Sequence, residues 1–228
     1  MTAGNDKGGV RHMPIIAVAT TKGGSGKTTL AMCLAHHWLS QGLTVEALDT
    51  DPNRNLKTWV GSSGVAMPCE AIGEDDVLDA AAAASSRADM VLIDVAGANA
   101  RALLYGIGAA KLVLIPCRPD SKDVIEAART HAHVVNAIKA ARIHNPKADI
   151  RHGVVLTQVN NRAQVTEHSR AQLQANGLHV LEAVLPMRTA HQQASYRGSP
   201  IDNASVADDV AAIAAEVMHM IGVRHASA

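Results

Sequence analysis

Residues 20–30 read Thr-Thr-Lys-Gly-Gly-Ser-Gly-Lys-Thr-Thr-Leu, between an apolar run, Pro14–Ala19, and a helix-compatible stretch, Leu30–Leu39. A strand that feeds a glycine-rich turn and then a helix is where free backbone N–H groups at a helix start hold phosphates. Gly23, Gly24 and Gly26, with Ser25 between them, let the main chain approach a ligand without Cβ clashes. Lys27 is placed to neutralise β/γ-phosphates, the Thr28 hydroxyl to take a position on Mg²⁺, and Thr29 continues the first turn. The strict phosphate-loop pattern has a glycine five residues before Gly26. Here that position is Thr21, and a second lysine, Lys22, stands beside it.

Around this loop the chain reads as alternating strands and helices. Val45–Leu48 is a short apolar strand ending in Asp49-Thr50-Asp51-Pro52-Asn53, and Met90–Ile93 is another ending in Asp94. Lys111–Ile115 before Pro116, Gly153–Val159 and Val180–Leu185 read as strands, and Val65–Ala71 as a weak one. Helices are expected over Asn55–Val60, Asp75–Ser86, Ala98–Gly108, Asp120–Arg142, Val165–Asn176 (closed by Gly177) and Val206–Ile221. Continuous apolar strands alternating with helices imply an α/β fold: a doubly wound, mostly parallel sheet covered on both faces.

Composition narrows the function classes. At 228 residues and 47% hydrophobic, the chain has enough apolar material for one sizeable core, with no linker or internal repeat. One domain over 13–228 is expected, after a polar, glycine-rich, disordered lead-in over 1–12. Lys+Arg and Asp+Glu each number 21, so a constitutive DNA-coating protein is not indicated, and any DNA binding must come from a local patch. Aromatics at 2% leave no base-stacking platform. Cys33, Cys69 and Cys117 fit no metal spacing, which counts against a cysteine-held iron–sulfur cluster. The 12 histidines are expected in surface polar roles, with His131 and His133 on different faces of one helix.

The string KGGSGKTT resembles the deviant Walker A box of the ParA/MinD ATPases, P-loop NTPases of the doubly wound class. Asp49-Thr50-Asp51-Pro52-Asn53 is similar to the family's second box, and Asp94 falls at the place of its Walker B carboxylate. The resemblance runs from about Pro14 to about Ile221 and is closest to the short, ParF-like plasmid-partition type, which has no N-terminal operator-binding domain. It implies ATP/ADP and Mg²⁺ as cofactors and slow, Mg-dependent hydrolysis of ATP to ADP and phosphate. It also implies that Lys22 reaches across an ATP-dependent homodimer to the partner's phosphates. By the same resemblance Asp49 reaches the metal through water, Asp51 orients the attacking water and Asp94 sits behind the metal. The resemblance also implies that Asn160 and Asn161 contact the base, opposite a wall formed by Pro186-Met187-Arg188.

The partners implied are a second copy, non-specific DNA and a cargo adaptor of the ParB/ParG kind, giving cytoplasmic partitioning or positioning with nucleoid association in the ATP state. Candidate phosphate-binding arginines are Arg162, Arg170, Arg188 and Arg197; the last two flank a segment, His191–Tyr196, that resembles the family's penultimate helix. Two other classes compete. A MinD-like membrane-recruited or protein-only positioning ATPase is one, but Val206–Ile221 carries Asp208, Asp209 and Glu216 and no lysine or arginine, so no membrane attachment is expected. A P-loop amide ligase of the dethiobiotin synthetase type is the other, and it has no need of Lys22.

Overall fold

The computed structural model describes residues 13–97, 100–146, 148–160 and 164–222, and the side chain of His144 is outside this set. The lead-in over 1–12 and the candidates Asn161 and Arg162 lie outside the described residues. Strands β1 (Ile15–Val18), β2 (Val45–Asp49), β3 (Cys69–Ala71), β4 (Met90–Asp94), β5 (Leu112–Cys117), β6 (Arg151–Val159) and β7 (Leu185–Pro186) form one sheet in the order β3-β2-β4-β1-β5-β6-β7. Every pairing in it is parallel.

Side chains on a strand alternate faces, and the sequence uses both. Ile16, Val18, Leu92, Leu112 and Leu114 point to a core under α1 (Lys27–Ser40), α2 (Asn55–Ser63), α7 (Thr189–Tyr196) and α8 (Ala204–Ile221). Ala17, Val91, Ile93, Val113 and Ile115 face the opposite core, under α3 (Val77–Ser85), α4 (Ala100–Ala109), α5 (Ser121–His144) and α6 (Val165–Ala175). Each fully buried Leu, Ile or Val contributes about 1.5–3 kcal/mol. Burial on both faces explains why these strands read as unbroken apolar runs.

Several expected boundaries shift. The helix expected over Asp75–Ser86 opens as a single 3₁₀ turn, Glu74–Asp76, before α3. The weak strand over Val65–Ala71 shortens to β3, and β5 runs on through Pro116 to Cys117. Pairing of β5 with β1 ends at Leu114, and Pro116 has no N–H with which to continue it. The strand expected over Val180–Leu185 does not form. Val180 makes an isolated bridge to Val154, and the laddered residues are Leu185 and Pro186. Between them the backbone is satisfied by side chains. Arg170 donates to the carbonyls of Leu181 and Glu182, while Glu216 accepts from the N–H groups of Glu182 and Ala183.

Register carries the strand ends to one place. Val18 pairs with Asp94, and Asp49 pairs with Asp94 from the other side. The glycine-rich loop leaves β1 directly beside both carboxylates, at the carboxyl edge where open parallel sheets bind ligands.

Candidate functional site

The loop from Thr20 to Gly26 turns into α1 through two left-handed glycines, Gly24 at φ +78° and Gly26 at φ +94°. A side chain is strained at either position, which is why glycine stands there. Gly97, just after β4, is packed so tightly that a Cβ would lie 2.6 Å from the Thr20 carbonyl oxygen. No larger residue fits between β4 and the start of the loop.

A cavity of about 580 Å³ opens over the loop, walled by Gly23, Gly24, Gly26, Lys27, Thr28, Thr29 and Asp51. Lys27 is buried, and its Nζ donates to the Lys22 carbonyl at 3.3 Å. The Thr28 hydroxyl donates to Asp94 Oδ2 at 2.6 Å. Burial pushes the Asp94 carboxyl up to about 7 despite that bond. Asp49 is likewise raised by burial, opposed by N–H donors from Lys57 and Asp51. Those two bonds span from the box to α2, so Asp49 ties the helix start to the strand end. Asp51 accepts from the backbone and side-chain nitrogens of Asn53, an Asx turn that fixes its carboxylate at the cavity wall.

Two buried polar atoms here have no partner within the protein, Asp94 Oδ1 and Ser25 Oγ. A carboxylate oxygen left free beside a threonine hydroxyl suits a hard, oxygen-seeking cation and its waters. The residues present therefore fit Mg²⁺ held with a polyphosphate. Among the described residues no cluster of three or more His, Cys, Asp or Glu side chains is arranged for a metal by itself.

Lys22 behaves differently from Lys27. It is not part of the wall of the cavity over the loop, and its Nζ pairs with Asp123 at the start of α5. Asp123 also receives Arg118, whose Nε lies 2.8 Å from Oδ2. Burial opposes its ionisation, yet the bonds from Arg118 and Lys22 hold its carboxyl below the usual range.

A second cavity, of about 260 Å³, adjoins the first and shares Gly26, Thr29, Trp59, Gln158 and Ser195 with it. Its far wall is Pro186, Met187, Arg188, His191 and Gln192. Trp59 and His191 each carry a buried ring nitrogen without a partner, Nε1 and Nε2 respectively. The size and the largely apolar lining suit a nucleobase.

A family model described as the CobQ/CobB/MinD/ParA nucleotide binding domain matches residues 16–201. The chain belongs to that family. The protein ParA of Rhizobium radiobacter is 31% identical over 184 residues, covering 78% of this chain and 81% of that one. The maintenance of carboxysome distribution protein A of Halothiobacillus neapolitanus is 27% identical over 213 residues, covering 89% and 95% of the two chains. Among solved structures, an ATP complex of McdA from Cyanothece superposes with a TM-score of 0.73 at 18% identity, covering 95% of this chain and 99% of that one. The septum site-determining protein MinD with Mg-ADP from Pyrococcus horikoshii gives 0.70 at 15% identity, covering 94% and 100%. The family is one of nucleotide-binding domains, its ParA/MinD members are partitioning and positioning ATPases, and the fold expected from the sequence is the fold of these neighbours.

Within this family frame, the loop residues, Asp49, Asp51 and Asp94 gather at one edge, and Pro186 and Met187 line the second cavity. Asn160 is exposed just beyond β6 and is not in that cavity's wall. Arg170, expected at a DNA-facing surface, is nine-tenths buried and spends its guanidinium on backbone carbonyls. Arg188 is paired with Asp209 at 2.7 Å, and Arg197 is exposed. The histidines are not uniformly at the surface either, since His36 is buried and burial lowers the pKa values of His36, His131, His152 and His191. Trp59, Gln158 and His191 were not identifiable as site residues, because the packing of α2 and α7 and the sheet order bring them to the loop. No helix among the described residues is long and apolar enough to cross a membrane.

Proposed function

We propose that this chain is an ATP-switched positioning ATPase, a single domain over 13–228 that dimerises on ATP and is reset by hydrolysis. The observation that carries the reading is the division of labour between two lysines. Lys27 lines its own phosphate cavity, whereas Lys22 is turned out of it, where a lysine serving a second copy's phosphates must start.

Phosphoryl transfer to water needs charge neutralisation and an in-line nucleophile more than covalent chemistry. Mg²⁺, when bound with the nucleotide, would supply charge neutralisation. Thr28 and Asp49 would hold it, with Asp94 orienting the Thr28 hydroxyl. Lys27 and the loop amides carry the phosphate charge, and Asp51 aligns the attacking water. The base lies between the Trp59 side of the cavity and Pro186-Met187. In this reading the ATP dimer binds DNA without sequence preference, and a cargo-bound adaptor stimulates turnover and release. Its place is the cytoplasm, on the nucleoid in the ATP state.

The test is sedimentation and duplex DNA retention with Mg-ADP and with Mg-ATP, at low and physiological salt. Dimers and salt-sensitive DNA retention with Mg-ATP alone are expected. Mg-ATP dimers that ignore DNA would leave a protein-only positioning role, and a monomer under both nucleotides would remove the switch.

A further inference from the structure

Gln158 sits at φ +52°, in the left-handed region, near the end of a buried strand. Only one other described non-glycine residue does so, Arg54 at the start of α2. Glutamine has none of the local hydrogen-bonding that makes asparagine or aspartate tolerable there, so the surrounding structure must impose this conformation. The register explains how. Thr157 pairs with Leu185 and Val159 with Pro186, so Gln158 is the extra residue of a bulge between β6 and β7. A bulge re-aims a side chain, and bulges collect beside functional sites.

Here the side chain is re-aimed at the phosphate loop. Gln158 Nε2 donates to the Gly24 carbonyl at 3.0 Å, and the fully buried Thr157 hydroxyl donates to the Ser25 carbonyl at 2.7 Å. Gly24 and Gly26 are the two left-handed glycines, so this stretch of loop has little restraint of its own. In a trans peptide the carbonyl and the following N–H point in opposite directions. Fixing the Gly24 and Ser25 carbonyls onto β6 therefore aims the N–H groups of Ser25 and Gly26 away from β6, as a phosphate-binding nest requires. Gln158 is also part of the wall common to the phosphate-side and base-side cavities.

We propose that Gln158 is a positioning residue of the nucleotide site, holding the phosphate loop in its anion-binding shape from the wall that the base and phosphate cavities share. The proposal rests on the nucleotide reading above. Wild-type protein that fails to bind Mg-ADP would sink that reading itself, which separates the two.

The experiment compares wild type, Gln158→Gly and Gln158→Asn by calorimetric titration with Mg-ADP and with inorganic tripolyphosphate, alongside thermal melts without ligand. Glycine removes the carboxamide and relieves the left-handed backbone. Asparagine tolerates the backbone but stops one methylene short of Gly24. Both variants are expected to melt at or above the wild-type temperature while losing at least fivefold in affinity for Mg-ADP and for tripolyphosphate alike. A residue needed only for folding would instead lower the melting temperature. Mg-ADP affinity within twofold of wild type overturns the proposal. So does a loss confined to Mg-ADP, which would mean that Gln158 reads the base and not the loop.

Discussion

Asp123 holds two cations at once, and that arrangement decides what removing Lys22 does. A nearly inaccessible carboxylate with a single partner would be stranded by its loss, at a cost of several kcal/mol. Asp123 keeps Arg118 when Lys22 leaves, so departure of Lys22 toward a second copy strands no charge. The Lys22 side chain is itself 31% exposed, and its contribution to stability is of the surface kind, about 1 kcal/mol or less. Lys22→Ala is therefore expected to melt within a few degrees of wild type and to bind Mg-ADP normally while losing dimerisation and turnover. Lys27→Ala, which removes a cation from the cavity wall, is expected to weaken Mg-ADP binding at least tenfold. Calorimetry, sedimentation and phosphate release measure these effects directly. Wild-type turnover by Lys22→Ala would end the cross-dimer role.

Strands and helices bring together groups that are far apart in sequence, and one such contact makes the fold sensitive to acid. His131 of α5 and His152 of β6 pack with ring centroids 4.8 Å apart and ring planes tilted by 44°, and His131 Nδ1 is buried without a partner. Burial lowers both pKa values below the ordinary 6.5, and for His152 the neighbouring His131 and His179 lower it further. The unfolded chain then binds more protons than the folded one below about pH 6.5, so the stability of the neutral pair is present above that pH and lost as pH falls. Melting temperature is expected to drop from pH 7.5 to pH 5.5, and less steeply in a His131→Gln/His152→Gln variant; equal slopes would remove the pair from the account. Nothing in the sequence around His131 announces a partner, since the pairing is made by β6 lying beside β5. The phosphate loop was legible because its glycines, lysines and flanking strand are consecutive. β1, β4 and β5 were legible because burial on both faces leaves an unbroken apolar run, and β2 because only Glu46, held by Arg87, interrupts it. Val180–Leu185 is also largely apolar, but only Leu185 joins a ladder, and the backbone partners Arg170 and Glu216 come from helices whose approach leaves no local trace. Gln158 was hidden for a related reason, because a bulge depends on register and not on composition.

The whole molecule is formally neutral, with 21 basic and 21 acidic side chains, so any attraction to DNA must be assembled and not inherited from net charge. A symmetric dimer doubles any arginine patch, which would make DNA retention conditional on ATP. Of the candidates, Arg170 is committed to the interior and Arg188 to Asp209, which leaves Arg197 exposed beyond α7 among the described residues. Each phosphate contact adds roughly 0.9 to the slope of log affinity against log salt on duplex DNA. Arg197→Ala, removing one contact per subunit, is expected to flatten the slope measured with Mg-ATP by about 2. Arg170→Ala leaves the carbonyls of Leu181 and Glu182 unpaired and is expected to cost about 1–3 kcal/mol of stability. Its salt slope should stay at the wild-type value in whatever fraction remains folded. An unchanged slope for Arg197→Ala, with ATP-dependent retention intact, would move the DNA face away from α7 and onto surfaces that exist only once two copies meet.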